Sequence, residues 1–199
     1  MRIRTLTLSA ALIALPAAIA WTNATSPLRL QPTSRLWVTG TSTVRSFECK
    51  AKAFDAIVDA AVPNAVAAVL AGEKGVASVE LKVPATQMDC NNGTMNEHMM
   101  KAIKGKEFAD IVFKLDSYDV AAIATGAKAA IKGQLTLGGV TRDITFDADV
   151  KPAPDGAMVV AGVYALHMTE FNLKPPTLML GTLKVKELVN VNFEITLKP

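Results

Sequence analysis

The sequence offers few of the residues that chemistry needs. It holds two histidines, His98 and His167, and neither has a Cys, Asp or Glu at metal-ligand spacing, so no metal site is expected. No G-x-S-x-G elbow, P-loop or dinucleotide fingerprint is present. We therefore expect no catalytic residue and no cofactor. Basic clusters interleaved with aromatics are also missing, which argues against a nucleic-acid partner. The mean hydropathy is +0.28, yet the longest apolar run is shorter than the roughly 20 residues that a membrane-spanning helix needs. Neither a fixed-period repeat nor a low-complexity tract divides the chain.

That longest run lies at the N-terminus. Arg2 and Arg4 precede an apolar stretch from Leu6 to Leu15, then Pro16 and Ala18-Ile19-Ala20, the small-x-small pattern of signal peptidase. Residues 1–20 are read as a leader cleaved after Ala20, which places the mature protein in the periplasm or outside the cell. The leader carries two arginines and no acid, so its removal lowers the formal charge from +3 to +1. Residues 21–35 follow as an arm rich in Pro, Thr, Ser and Asn, expected to be loose. Residues 36–199 form the folded domain; at 50% hydrophobic and 20% charged residues, the chain can own a core.

From Leu36 onward the hydrophobic period is two. Val79, Leu81 and Val83 alternate with Ser78, Glu80 and Lys82; Ile144, Phe146, Ala148 and Val150 alternate with Thr145, Asp147, Asp149 and Lys151. Val189, Val191, Phe193, Ile195 and Leu197 give the longest such face. Gly138-Gly139 and Pro152–Gly156 separate successive strands as hairpin turns. A phase slip near Ala53, between Phe47-x-Cys49 and Phe54-x-Ala56, predicts a bulge that bends the chain. Two stretches are helical, Pro63–Ala71 and a second opened by a Thr94-Met95-Asn96-Glu97 capping box, which sets Met95, His98, Met99 and Ala102 on one stripe. The fold class is all-β with one or two short helices: about eight antiparallel strands, as an up-and-down barrel or a two-sheet sandwich.

Cys49 and Cys90 are the only cysteines, and export makes a disulfide between them the expected state. The competing assignment, a thiol activated by His98, lacks a marked orienting group or oxyanion site.

Three segments in order resemble the YceI-like family of exported lipid and polyisoprenoid-binding proteins. They are Gly40-Thr41-Ser42-Thr43-Val44-Arg45-Ser46-Phe47; the Met95–Met99 helix with Phe108-Ala109-Asp110-Ile111-Val112-Phe113 after it; and Gly133-Gln134-Leu135-Thr136-Leu137-Gly138-Gly139-Val140-Thr141-Arg142. The resemblance spans roughly Leu36 to Leu197. It implies an extended lipocalin-like antiparallel barrel around an apolar tunnel, and non-covalent binding of a long isoprenoid or fatty lipid by a monomer or homodimer. On strand parity and this resemblance, Phe47, Met95, Met99, Ile111, Phe113, Leu135, Phe146, Met179 and Phe193 are expected to line the tunnel. The Met-rich helix and the Leu173–Leu183 loop are expected to form its mouth. The Cys90-Asn91-Asn92-Gly93 loop resembles a subgroup with a paired cysteine, and Pro175–Leu180 falls in a variable rim.

Two other functions stay open at this level. An enzyme acting on a bound lipid would need a polar cluster inside, for which Tyr118, His98, Arg142 and Asp143 are the candidates. A structural or stress-related protein would simply have a filled barrel.

Overall fold

Where the sequence alternates, the chain is strand. The computed structural model describes residues 26–178 and 182–199. Among these, twelve strands and two α-helices run in the order β1 (Arg29–Leu30), β2 (Arg35–Ser42), β3 (Ser46–Ala51), β4 (Asp55–Ala60), α1 (Ala65–Leu70), β5 (Val76–Pro84), β6 (Met88–Asp89), α2 (Gly93–Ala102), β7 (Asp110–Ile123), β8 (Gly126–Leu137), β9 (Val140–Ala153), β10 (Ala157–His167), β11 (Thr177–Leu178) and β12 (Leu183–Lys198). Three strands have only two residues, so nine longer ones replace the eight expected.

One antiparallel sheet follows the path β4-β5-β7-β8-β9-β10-β12-β2-β3-β6 and curls on itself. The Gly138-Gly139 hairpin has φ of 57° and 80°, both left-handed, which suits the tight turn that matches sheet twist. The long segment around Ala53 is not one bulged strand. It breaks into β3 and β4, which lie near opposite ends of the sheet path, so the chain crosses the seam of the barrel at residues 52–54. The phase slip marks that crossing: Phe47 and Cys49 face in before it, Ala56 and Val58 after it.

The arm is not loose along its whole length. Leu28 pairs with Val58 of β4 and is 3% exposed, while Arg29 and Leu30 pair with Lys198 and Leu197 of β12. This short segment joins two non-adjacent strands and covers one end of the seam; the apolar side chains of Leu28 and Leu30 drive it there, against the polar composition around them.

The two helices sit at opposite ends. α1 buries Ala65, Val66 and Val69 against β-strand residues including Val58, Ala127, Val150 and Leu197. It ends at Gly72, whose φ of +82° and close approach to the Ala122 backbone leave no room for a side chain. α2 is capped by Asn92, whose side-chain oxygen accepts a hydrogen bond from Met95 N at 3.0 Å, and not by the Thr94 expected from the capping-box pattern. None of its residues is fully buried.

Candidate functional site

The barrel is not filled. A cavity of about 630 Å³ runs from Val69 of α1 to His98 and Met99 of α2, within the roughly 300–1,000 Å³ usual for small-molecule sites. Its walls follow from strand parity: inward positions of β2, β3, β5, β7, β8, β9, β10 and β12 supply Val, Ile, Leu, Phe and Tyr, and outward positions carry the charges.

An aromatic band crosses the middle. Phe146 of β9 lies 5.6 Å from Phe113, 5.5 Å from Phe193 and 6.1 Å from Tyr164 between ring centroids, all tilted or edge-on. Glycines make room for the neighbouring rings. A Cβ on Gly40 would meet Phe47 at 2.4 Å, and one on Gly133 would meet Phe113 at 2.6 Å. These strand glycines are therefore platforms on which inward aromatic rings lie flat to the wall.

Phe47, Ile111, Phe113, Leu135, Phe146 and Phe193 line the cavity, as do Met95 and Met99. Met179 lies outside the described residues. Met100 is turned away and packs over Gly105. At the α2 end, Leu173, Pro176 and Leu183 also border the cavity, and Leu173, 2% exposed, packs in one cluster with Ile103 and Phe171.

Cys49 and Cys90 are disulfide-bonded, both lining the cavity wall. The bond fastens β3 to the residue two before the α2 cap. Around it, Cys90 N donates to Asn96 Oδ1 at 2.7 Å, and Asn96 Nδ2 donates to Asp89 Oδ1 at 2.8 Å. Lys52 Nζ pairs with Asp89 Oδ2 at 2.8 Å. The Lys52 ammonium, the Asn96 amide and the Asn91 backbone N–H together pull the Asp89 carboxyl down to about 2.

The polar cluster that lipid chemistry would need is not assembled. Tyr118 and His98 line the cavity, but Asp143 is exposed on the outer face of β9, where its Oδ1 accepts from Gln134 Nε2 at 3.2 Å, and Arg142, the exposed register partner of Leu135 near the start of β9, does not border the cavity and donates from Nε to Glu170 O at 2.8 Å. Tyr118 reaches the interior through a bulge in β7: Leu115 pairs with Gly133 and Ser117 with Lys132, so Asp116 is supernumerary and the facing parity changes. Its hydroxyl accepts from Val76 N at 2.9 Å. Burial, with a further push from Glu170, raises the Tyr164 hydroxyl above its ordinary value and keeps it protonated. Among the described residues, no group of three or more His, Cys, Asp or Glu is arranged to hold a metal.

Arg45, in the β2–β3 turn, also lines the cavity and escaped the sequence reading. Parity could not have found it, because turn residues have none.

The profile of the YceI-like domain matches residues 32–197. The solved structure of Burkholderia cenocepacia BcnA is similar with a TM-score of 0.63 at 18% identity, covering 82% of this chain and 95% of that one. A polyisoprenoid-binding domain from Saccharophagus degradans, implicated in plant cell wall breakdown, matches with a TM-score of 0.61 at 12% identity over 86% of this chain and 97% of that one. The YceI protein of Campylobacter jejuni matches with a TM-score of 0.57 at 19% identity over 74% and 82%. No curated protein matches the sequence.

Proposed function

The chain belongs to the YceI-like family, and from that premise we propose that it binds and carries or stores a long-chain apolar lipid, such as a polyisoprenoid or quinone tail, in the periplasm or outside the cell. One observation carries the reading: a long cavity whose walls are almost entirely hydrocarbon and aromatic. Each buried CH₂ contributes about 0.8 kcal/mol, so a chain of modest length binds by area alone once ordering costs are met. The name of the Saccharophagus degradans relative, a polyisoprenoid-binding domain, supports the same ligand class. Carriage without chemical conversion fits the dispersal of Tyr118, His98, Arg142 and Asp143, of which only the first two border the cavity. Export is favoured by the Cys49–Cys90 bond, since such bonds persist in oxidising compartments, and by the leader-like residues 1–20.

Mass spectrometry of the organic extract of the purified native protein tests this. The expected result is one long-chain lipid at near-stoichiometric amount. A lipid-free extract, together with no uptake of a fluorescent prenyl or acyl probe, overturns the reading.

A further inference from the structure

The cavity's charge is as one-sided as its polarity. Among the described residues that border it, Arg45 and His98 are the only basic side chains, and no Asp, Glu or Lys borders it. Apart from the hydroxyls of Tyr118 and Tyr164, the polar side chains that border it collect at one end, where Ser42 ends β2, Arg45 lies in the β2–β3 turn, Asn92 caps α2, and Thr94 and His98 lie on α2. The opposite end, at α1, is bordered by Val58, Val69 and Leu197.

The base of Arg45 is fixed while its guanidinium is uncommitted. Its carbonyl accepts from Ser42 N at 2.8 Å and from Ser42 Oγ at 2.9 Å, and its own N–H donates to Ser42 Oγ at 3.1 Å. The turn is pinned to β12 by Thr43 N donating to Lys184 O at 2.9 Å. Among the described residues the guanidinium makes no ion pair, whereas Arg35 pairs with Glu194 and Arg142 bonds a backbone carbonyl. His98 likewise has no hydrogen-bond or ion-pair partner among them.

An amphiphile in such a tunnel lies with its tail toward α1 and its head at the polar end. An anionic head leaving water there must regain donors, and a guanidinium supplies two parallel N–H bonds to one oxyanion. We propose that the lipid carries an oxyanion head, a phosphate or a carboxylate, held at the α2 end by Arg45 and His98. This rests on the carrier reading and narrows its ligand class.

Binding to the delipidated full chain is to be compared for geranylgeranyl phosphate, geranylgeraniol, palmitate and hexadecanol. Charge-assisted bonds predict that at least one anion binds about tenfold or more tighter than its own alcohol. Preference within the prenyl pair alone identifies a phosphate head, and within the acyl pair alone a carboxylate. In Arg45→Gln the anion-to-alcohol ratio falls to within about threefold of one; in His98→Gln it falls part of the way. Lys132→Gln, on the outer face of β8, keeps the wild-type ratio. Equal affinity for anion and alcohol in the wild type, or an undiminished ratio in Arg45→Gln, overturns the head assignment and leaves carriage standing. If none of the four lipids binds, carriage itself fails and the head assignment with it.

Discussion

Phe193 on β12 and Gly162 on β10 are register partners, and the ring lies where a side chain on residue 162 would be: a Cβ there would come within 2.6 Å of the ring and 2.7 Å of the Asp147 carbonyl oxygen. The glycine is what lets the ring lie against the wall instead of standing in the tunnel.

Gly162→Ala is therefore expected to lower stability by roughly 1–3 kcal/mol, the usual cost of overpacking, and to push Phe193 into the cavity. Urea unfolding measures the first effect and the stoichiometry of bound probe the second. A variant with wild-type stability and capacity would show that the ring gives way without cost.

The bond between Cys49 and Cys90 closes a separation of 41 residues. Replacing both by Ala should cost about 4 kcal/mol on the chain-entropy account, with a further loss where the two buried sulfur atoms leave space behind. The change should also raise amide exchange across α2, because the bond holds the approach to its cap. Equal unfolding midpoints for the variant and the oxidised protein would remove the stabilising role.

Much of this architecture was legible in the sequence because strand parity is a strong signal. Phe47, Phe113, Phe146 and Phe193 each share a face with apolar neighbours, and all four border the cavity. Parity failed where register is set by distant strands. The β7 bulge that turns Tyr118 inward depends on β8, and the pairing of Leu28 with Val58 depends on a seam that no local pattern describes. From Ala157 to Leu166 both parities are apolar, so local pattern does not choose the inward face of β10; contact with β9 and β12 selects Met158, Val160, Tyr164 and Leu166 for the interior. Arg45 was invisible because its position comes from the turn, not from a strand.

Asp89 links the anchor of α2 to pH. Its carboxyl is lowered from 3.8 to about 2 by Lys52, Asn96 and the Asn91 N–H, so the native state holds its proton less firmly than the unfolded chain does. The stabilisation is complete above pH 4 and is lost as pH falls toward 2. An NMR titration should place the Asp89 midpoint near 2, with α2 exchange rising over the same interval. An Asp89→Asn variant should lack that rise. A midpoint near 3.8 would show that these contacts are not made in solution.

Loading is the remaining requirement, since a long chain must pass the end of the barrel. α2 has the construction of a movable cover: none of its residues is fully buried, it is held at its N-terminal end by the disulfide and the Asp89–Asn96 contact, and it meets the core only through the partly buried Met95, Met99 and Ala102 and, just beyond it, Ile103. Met95 and Met99 face the cavity, and flexible thioethers can keep contact with a sliding hydrocarbon. A carboxylate at 99 would instead face an apolar interior, where it must stay hydrated and hold the helix away from the wall. Met99→Glu is accordingly expected to slow uptake of a fluorescent prenyl probe at least tenfold with the strand signal in circular dichroism unchanged. Glu97→Gln, an exposed position on the same helix, should leave uptake as it is. Stopped-flow mixing of probe with delipidated protein gives the rates, and wild-type kinetics in a folded Met99→Glu variant would move the entrance away from α2.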